Sequence, residues 1–202
     1  MAVMSVTRAR NPRGQGERLR HDLLDAAAEL LAEHGTVEAV SLRSVATRAG
    51  VSPTAVYRHF DDHASLMASA IRHCWNEFTS AITIDPTDEP DPFERFRLMG
   101  DAYVLFASEH AGKYRVIFSK EVTDQREKED STMEAFGLLV AVVTELLEIN
   151  GDDRDPFFVS TQVHTWIHGI VDLCTNHPDM PFPEAKELVA HLPFDLRLTP
   201  AE

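Results

Sequence analysis

Apolar residues recur at three- and four-residue steps along most of the chain, which is the spacing of one face of an α-helix. The first such stripe ends at Gly35, a typical C-terminal helix stop, and consists of Leu19, Leu23, Leu24, Ala27, Leu30 and Leu31. Alternating runs of Val, Ile and Thr, which mark β-strands, are missing from the sequence. The pattern therefore predicts an all-α protein of about nine helices.

The predicted helices are separated by polar segments rich in Pro, Asp and Gly. Residues 83–92 ("TIDPTDEPDP") and 120–131 ("KEVTDQREKEDS") are expected to be loops or exposed turns. The helices are placed at about residues 17–34, 41–49, 52–60, 62–82, 93–106, 112–119, 133–149, 155–175 and 184–192. The fourth is long enough to join a small N-terminal unit to the rest of the chain.

Residues 41–60 have the spacing of a helix-turn-helix motif, whose second helix lies in the major groove of DNA. Ser41 can cap the first of these helices, Gly50 allows the turn, and Ser52 with Pro53 opens the second. Apolar residues of the segment account for a small core, which leaves a row of hydrogen-bond donors facing outward: Ser52, Thr54, Tyr57, Arg58 and His59. Such donors suit phosphates, and Arg can bridge guanine in a bidentate contact.

Charge is distributed unevenly along this acidic chain, whose net charge is -14. Residues 1–60 carry eight arginines against six acidic groups, whereas the remainder carries 11 basic and 27 acidic groups. Five of the arginines fall in the first twenty positions: Arg8, Arg10, Arg13, Arg18 and Arg20. A basic arm of this kind is expected to add phosphate or minor-groove contacts; a solvated tail is the alternative.

The segments "LLDAAAELLAEHG" and "SLRSVATRAGVSPTAVYRHFDDHASLM" resemble the N-terminal domain of TetR/AcrR-type transcriptional regulators. The resemblance covers about residues 17–67 and includes the Tyr-x-His-Phe signature at Tyr57, His59 and Phe60. It implies that Tyr57 and His59 contact phosphates, and that Ser41 and Arg43 meet the DNA backbone. A lysine usually opens the fourth helix of the family; here His63 takes that place, so this contact would be weaker or dependent on pH.

The second half resembles a narrower subgroup, named for a Trp/His-Gly motif, through "HAGKYRVIFS" and "WIHGIVDL". This resemblance implies a pocket for a small-molecule effector among the fifth to eighth helices and a homodimer built mainly from the eighth and ninth. Candidate pocket residues are Phe96, Tyr103, Phe106, Phe118, Met133, Phe136, Trp166 and His168. Each could equally belong to an ordinary core, where aromatic and Met residues at helical spacing are common.

His164, His168 and Asp172 lie four residues apart and so share a helix face, where they could bind a metal, line the pocket or form a polar seam between subunits. The Glu of a His-Glu-x-x-His metalloprotease helix is missing, and no metal or cofactor is expected. The two cysteines, Cys74 and Cys174, sit in apolar stretches and are expected to be buried thiols in a reducing compartment, with the cytoplasm as the default.

No Gly-rich phosphate loop, Gly-x-Ser-x-Gly elbow or Cys-x-x-Cys pair is present, so an enzyme is not expected. The sequence predicts an arm at 1–16, a DNA-binding domain at 17–64 and a ligand-binding and dimerisation domain at 65–202. Its function is expected to be that of a homodimeric repressor, released by a ligand from a palindromic operator and not associated with a membrane. The alternative is a metal- or small-molecule-responsive sensor acting mainly through a protein partner.

Overall fold

A computed structural model describes residues 15–119, 125–177 and 179–191, and within that part of the chain every regular element is a helix. The prediction of an all-α fold is confirmed. The helices are α1 (Gln15–His34), α2 (Leu42–Arg48), α3 (Pro53–Val56), α4 (His63–Ile82), α5 (Pro92–Glu109), α6 (Ala111–Phe118), α7 (Gln125–Asn150), α8 (Pro156–Asn176) and α9 (Ala185–Val189). Arg8, Arg10 and Arg13 of the predicted arm lie outside the described residues.

Local capping chemistry fixes the start of α2 and the turn that follows it. Ser41 and Ser44 form a reciprocal capping box, in which each side chain accepts a hydrogen bond from the other residue's backbone N–H. Gly50 then adopts a φ of 68°, a left-handed conformation that side chains other than glycine disfavour. Pro53 occupies the first turn of α3, but the side chain of Ser52 makes no capping hydrogen bond.

Two predicted boundaries differ from the structure. The helix after the turn ends at Val56, and Tyr57, Arg58 and His59 continue as tight turns whose N–H groups bond to carbonyls three or four residues back. The seventh helix begins at Gln125, eight residues before the expected start, so much of the polar segment 120–131 is not a loop. Gln, Arg, Glu and Lys are good helix formers, and no Gly or Pro interrupts them before Met133.

The N-terminal unit packs α1, α2 and α3 around a small core. Its fully buried members include Leu23, Leu31, Val45, Val56 and Phe60. At its surface, Arg48 of α2 donates hydrogen bonds to Glu29 and Glu33 of α1, at 3.0 and 2.7 Å. The guanidinium of Arg20, one of the five arginines in the first twenty positions, lies 5.1 Å from the centroid of the Phe60 ring and so packs on the end of the motif.

Helix α4 belongs to both halves of the molecule, as the sequence predicted. Near its start Leu66 and Met67 are buried against the N-terminal unit, and further along Trp75 and Phe78 are buried among aromatic residues of the second half. Helix α6 also packs on α1 and α4. Its Gly112 approaches α1 so closely that an added Cβ would lie 2.9 Å from the Cβ of Ala32.

The second half is a bundle of α5, α7 and α8, completed by α4, α6 and α9. Arg95 of α5 is buried, with 4% of its surface exposed, and links the segment before α5 to α7. Its guanidinium donates to the carbonyl oxygens of Glu89 and Pro90 at 3.0 and 2.8 Å and pairs with Glu145 of α7. Among the helices described, none combines the length and apolarity that crossing a bilayer requires.

The two cysteines differ in environment. Cys74 is fully buried, and desolvation raises the pKa of its thiol to about 12, so it stays protonated and unreactive at neutral pH. Cys174 is only partly buried, because it lies near the end of α8 beside the segment that precedes α9. The prediction of a second buried thiol is therefore wrong.

Replacement of Arg95 by alanine is expected to lower the free energy of unfolding by about 2 to 3 kcal/mol, because two carbonyl oxygens and one carboxylate lose a buried donor. Urea unfolding monitored by circular dichroism measures this loss. Arg97→Ala is the matched control, since Arg97 is an exposed arginine of the same helix whose partners, Glu94 and Asp101, remain in water. Equal losses in the two variants would contradict the role assigned to Arg95.

Candidate nucleic-acid interface and internal cavity

The segment from Ser52 to Arg58 forms a convex, polar surface on the N-terminal unit. Ser52, Thr54, Tyr57 and Arg58 are all exposed, and Tyr57 keeps 58% of its surface in contact with solvent. Val56 and Phe60, by contrast, are buried beneath them. The buried pair fixes the backbone, so the exposed hydroxyl and guanidinium groups are held in place and face outward together.

Arg43 adds a guanidinium from the neighbouring helix, since it lies in the first turn of α2 and is exposed. The exposed polar face of the motif therefore joins residues from α2 with those from α3 and the turn after it. Hydroxyl and guanidinium donors at this density match the oxygen-rich surface of a DNA backbone.

Three other residues that were predicted to contact DNA are less available for such contacts. The hydroxyl of Ser41 is engaged in the capping box with Ser44. His63 is partly buried, and its Nε2 donates to the carbonyl oxygen of Val40 at 2.7 Å. This hydrogen bond joins the start of α4 to the N-terminal unit, so the nitrogen expected to meet a phosphate is used within the protein. His59 is half-buried beside the exposed Arg58.

A cavity of about 380 Å³ lies in the second half, within the size range of small-molecule sites. Its walls come from six helices, α4 to α9, and are mostly apolar and aromatic. Among the lining residues are Trp75, Phe78, Ile82, Phe96, Met99, Tyr103, Phe118, Phe136, Leu139, Val163, His164, Trp166, Ile167 and Val189. Charged side chains are confined to Arg97, Asp101 and Lys186, which are exposed or half-buried.

The eight predicted pocket residues separate into two groups. Phe96, Tyr103, Phe118, Phe136 and Trp166 line this cavity. The other three lie elsewhere. Phe106 is buried in the core against the rings of Phe78 and His110, Met133 is 54% exposed on α7, and His168 faces a different cleft, lined also by Leu31 and Asp172.

His168 belongs to a hydrogen-bonded group with two tyrosines. The Tyr114 hydroxyl lies 2.7 Å from His168 Nδ1, and the Tyr103 hydroxyl lies 3.1 Å from both. Burial raises the pKa of both tyrosines and lowers the pKa of His168, so all three groups are neutral at pH 7. The group fixes α5, α6 and α8 to one another.

His164 and His168 stack with ring centroids 5.6 Å apart, but they do not gather with Asp172 into a metal-binding group. Among the described residues, the His, Cys, Asp and Glu side chains close enough to share an ion are His21, His73 and Glu77, on α1 and α4. No local sequence pattern connects these three residues, because 52 positions separate His21 from His73.

Two residues of the cavity wall each carry a buried polar atom that lacks a partner within the described part of the chain. These are the indole Nε1 of Trp75 and the hydroxyl oxygen of Thr132, both buried. An unsatisfied buried polar group costs about 1 to 3 kcal/mol, and a buried Trp N–H usually finds an acceptor. Nε1 itself is not exposed to the cavity, so a bound molecule would accept a hydrogen bond from Trp75, and recover part of this cost, only after a shift of the indole ring.

Sequence reasoning placed Trp75 and Phe78 in the core stripe of the fourth helix and did not connect them with a pocket. The missed signal is chemical: a tryptophan in an otherwise apolar stripe brings an N–H group that an apolar core cannot satisfy. His164, considered for a metal or a pocket wall, lies on the wall. Burial, with a smaller contribution from His168, lowers its pKa to about 4, so it adds no charge there at pH 7.

Comparisons with known proteins bear on both halves. A sequence model of bacterial regulatory proteins of the tetR family matches residues 23–70, and a model of the tetracyclin repressor-like C-terminal domain matches residues 96–192. The chain is 24% identical over 159 residues to the nucleoid occlusion factor SlmA of Edwardsiella ictaluri, covering 75% of this chain and 80% of that protein. The Trp/His-Gly subgroup stays a prediction.

Two solved structures have the same fold. The regulator FadR of Bacillus subtilis, in complex with stearoyl-CoA, aligns with a TM-score of 0.69 at 16% identity, over 84% of this chain and 93% of FadR. SmeT, the repressor of the Stenotrophomonas maltophilia multidrug efflux pump SmeDEF, aligns with a TM-score of 0.65 at 19% identity, over 84% of each chain.

The buried, neutral state of His164 predicts a pH dependence of stability. Its pKa is about 4 in the folded protein and 6.5 as a free side chain, so between these values the unfolded chain binds a proton that the folded chain does not. Stability should therefore fall as the pH drops from about 6.5 to 4, and His164→Gln should remove about 2 to 3 kcal/mol of that fall. Urea unfolding of both proteins at pH 7 and at pH 4.5 measures this difference in the free energy of unfolding.

The exposed His34→Gln variant is the control and should keep the full pH dependence of the unmodified protein. If His164→Gln and His34→Gln show the same loss of stability between pH 7 and 4.5, His164 is not the buried neutral group described above.

Proposed function

Because the chain belongs to the TetR family of DNA-binding transcription regulators, we propose that it is a homodimeric repressor released from its operator by an apolar effector. The observation that carries the DNA-binding part is the surface formed by Ser52, Thr54, Tyr57 and Arg58. Its donors are exposed side by side on a turn that Val56 and Phe60 anchor in the core.

We assign these residues to two kinds of contact. Tyr57 and His59, together with Arg43, would contact phosphates, whereas Thr54 and Arg58 would reach base edges. Ser52 would support the backbone contacts, and Ser41 and His63 would act through the conformation that their internal hydrogen bonds stabilise. The DNA-binding domain would extend to about residue 64, at the start of α4.

Exposed apolar side chains on α8 and at the end of α7 support the homodimer. Phe157, Phe158 and Leu173 of α8 are 50%, 59% and 40% exposed, and Ile149 near the end of α7 is 60% exposed. Such a surface is unusual for a helix that stays in water and is typical of a subunit interface. The proposed interface is formed by α8 with the end of α7, since α9 has only five residues and turns Ala185 and Val189 toward the core.

Two copies of α3 in one dimer would enter successive major grooves, whose centres are about 34 to 36 Å apart. Helix α4 connects each copy to the effector cavity, since Trp75, Phe78 and Ile82 line the cavity while His63 at its other end bonds to Val40. An effector that shifts α4 would change the separation of the two α3 helices. A coupling of about 1 to 3 kcal/mol would weaken DNA binding by about 5- to 150-fold.

The chemistry of the cavity narrows the effector class. Apolar, aromatic walls and a neutral His164 favour an uncharged or largely apolar body. The Nε1 of Trp75 favours a carbonyl or another hydrogen-bond acceptor on that body. FadR, a protein of the same fold, was solved with stearoyl-CoA, an apolar chain attached to a carbonyl group.

The direct test is a footprint on the DNA that flanks the gene of this protein. Protection of a near-palindromic repeat is expected, and a scrambled repeat of the same length is the control. Equal affinity for the repeat and the scrambled DNA would overturn the repressor proposal.

A second candidate function comes from the relative named a nucleoid occlusion factor. A protein of that kind would act on DNA of the nucleoid as a whole, whereas a repressor acts at a promoter. Genome-wide mapping of the bound DNA separates the two: one or a few promoter sites support the repressor, and many dispersed sites favour the occlusion factor.

Substitutions on the DNA-binding surface should separate phosphate contacts from base contacts. Tyr57→Phe and His59→Ala are expected to weaken binding about tenfold on every DNA sequence, whereas Thr54→Ala and Arg58→Ala should relax the preference at particular base pairs. Binding of each variant to a library of single-base operator changes measures both effects. Arg115→Ala, which removes an exposed arginine from α6, is the control and should bind like the unmodified protein. A uniform loss for all four variants would contradict the assignment.

The hydrogen bond from Trp75 can be tested with two probes of the same shape, 2-acetylnaphthalene and 2-ethylnaphthalene, which differ by a carbonyl group. The unmodified protein is expected to bind the ketone about 3- to 10-fold more tightly, and Trp75→Phe should abolish that preference. Trp166→Phe is the control, because Trp166 also lines the cavity. Isothermal titration calorimetry gives the six affinities; an unchanged preference in Trp75→Phe would exclude the Trp75 donor.

A further inference from the structure

Two His and carboxylate pairs of equal spacing face each other where α1 packs on α4. His21 and Asp25 lie four residues apart on α1, and His73 and Glu77 lie four residues apart on α4. Residues at this spacing lie on the same side of a helix, one turn apart. Each helix therefore presents one imidazole and one carboxylate to the other, at a place that neither the DNA-binding surface nor the effector cavity uses.

The potential ligand atoms are already close together. His21 Nδ1 lies 3.0 Å from Asp25 Oδ2, and His73 Nε2 lies 3.1 Å from Asp25 Oδ1 and 3.6 Å from Glu77 Oε1. One ligand atom from each of His21, His73 and Glu77 can be chosen so that all three lie within 4.8 Å of one another. The two imidazole rings meet edge to face, with centroids 4.6 Å apart.

These separations are close to those of a zinc site. Four ligands at about 2.0 to 2.2 Å from a tetrahedral Zn²⁺ are about 3.3 to 3.5 Å from one another. The four side chains come from two long helices packed together, so little rearrangement of the backbone would be needed. Imidazole nitrogen and carboxylate oxygen are both ligands that Zn²⁺ accepts.

The cluster already holds one cation, which comes from a third helix. Lys113 of α6 donates to Asp25 Oδ1 at 2.8 Å and to Glu77 Oε2 at 2.7 Å. Two carboxylates that face each other are stabilised by a positive charge between them, which Lys113 provides here. The imidazoles of His21 and His73 lie next to these carboxylates.

We propose that His21, His73 and Glu77, with Asp25 beside them, form a binding site for a divalent transition-metal ion of the Zn²⁺ type, and that Lys113 competes with the metal. The ion would supply the charge that Lys113 supplies now and would also use the imidazole nitrogens, which the ammonium group does not. The side chain of Lys113 is 20% exposed, so it can move to solvent when the ion binds. Metal binding would then link α1 to α4 through the ion and break the two ion pairs that join Lys113 of α6 to them.

Competition predicts opposite effects for substitutions within one cluster. His21→Ala and His73→Ala should each weaken Zn²⁺ binding by about tenfold or more, because each removes a ligand. Lys113→Gln should strengthen Zn²⁺ binding by about tenfold or more, because it removes a positive charge from the site and leaves both carboxylates available. A purely structural ion-pair cluster would show no such gain.

The experiment is calorimetric titration of Zn²⁺ into the full-length, tag-free protein at pH 7.5, with thermal unfolding of each variant as a check on folding. His34→Ala, which removes an exposed histidine from the same helix, is the control for adventitious binding. His21→Ala keeps the test valid if His73→Ala fails to fold, since the His21 side chain is 59% exposed.

The expected result is one site per chain that His34→Ala preserves, His21→Ala weakens and Lys113→Gln strengthens. The proposal is overturned if His21→Ala and His34→Ala bind Zn²⁺ alike, or if Lys113→Gln binds it no better than the unmodified protein. Because the titration contains no DNA, its result is independent of the repressor proposal.

Discussion

The ammonium group of Lys113 lies between two carboxylates from different helices, Asp25 of α1 and Glu77 of α4, and so joins three helices at one point. Burial raises the pKa of Asp25, but the hydrogen bonds from Lys113 and His73 outweigh it and lower that pKa, so the carboxylate stays charged. At the same junction Gly112 brings α6 within contact of Ala32. The position of α1, and with it of the N-terminal unit, thus depends on α4 and α6.

Both of those helices also form walls of the cavity, through Trp75 and Phe78 of α4 and Phe118 of α6. Under the proposed function, a change in the cavity would reach the N-terminal unit through these two packed helices. Rigid helices that share one junction transmit a displacement, because a close-packed interior cannot absorb it locally. This is the physical basis for coupling an effector to the surface around Tyr57.

The fold could be predicted from the sequence because helical periodicity, Gly stops and Pro starts are local signals. These signals located the turn at Gly50 and the connecting helix α4. They did not predict the first two turns of α7, because residues 125–132 are polar and resemble a loop. The site was harder to predict. The exposure of Tyr57 and Arg58 could be predicted from their positions relative to the apolar residues of the same segment. The hydrogen bond from His63 to the carbonyl oxygen of Val40 and the position of His168 outside the cavity depend instead on tertiary contacts. The His21 and His73 cluster joins distant positions, which no local pattern reveals.

The central claim is that the cavity and the DNA-binding surface are coupled through α4, and thermodynamic reciprocity tests it most directly. The measurement is the affinity of 2-acetylnaphthalene for the free protein and for the protein bound to its operator, determined by calorimetry in the same buffer. The account predicts binding weaker by about fivefold or more in the operator complex. Equal affinity for the two forms would show that the cavity and the DNA-binding surface are independent.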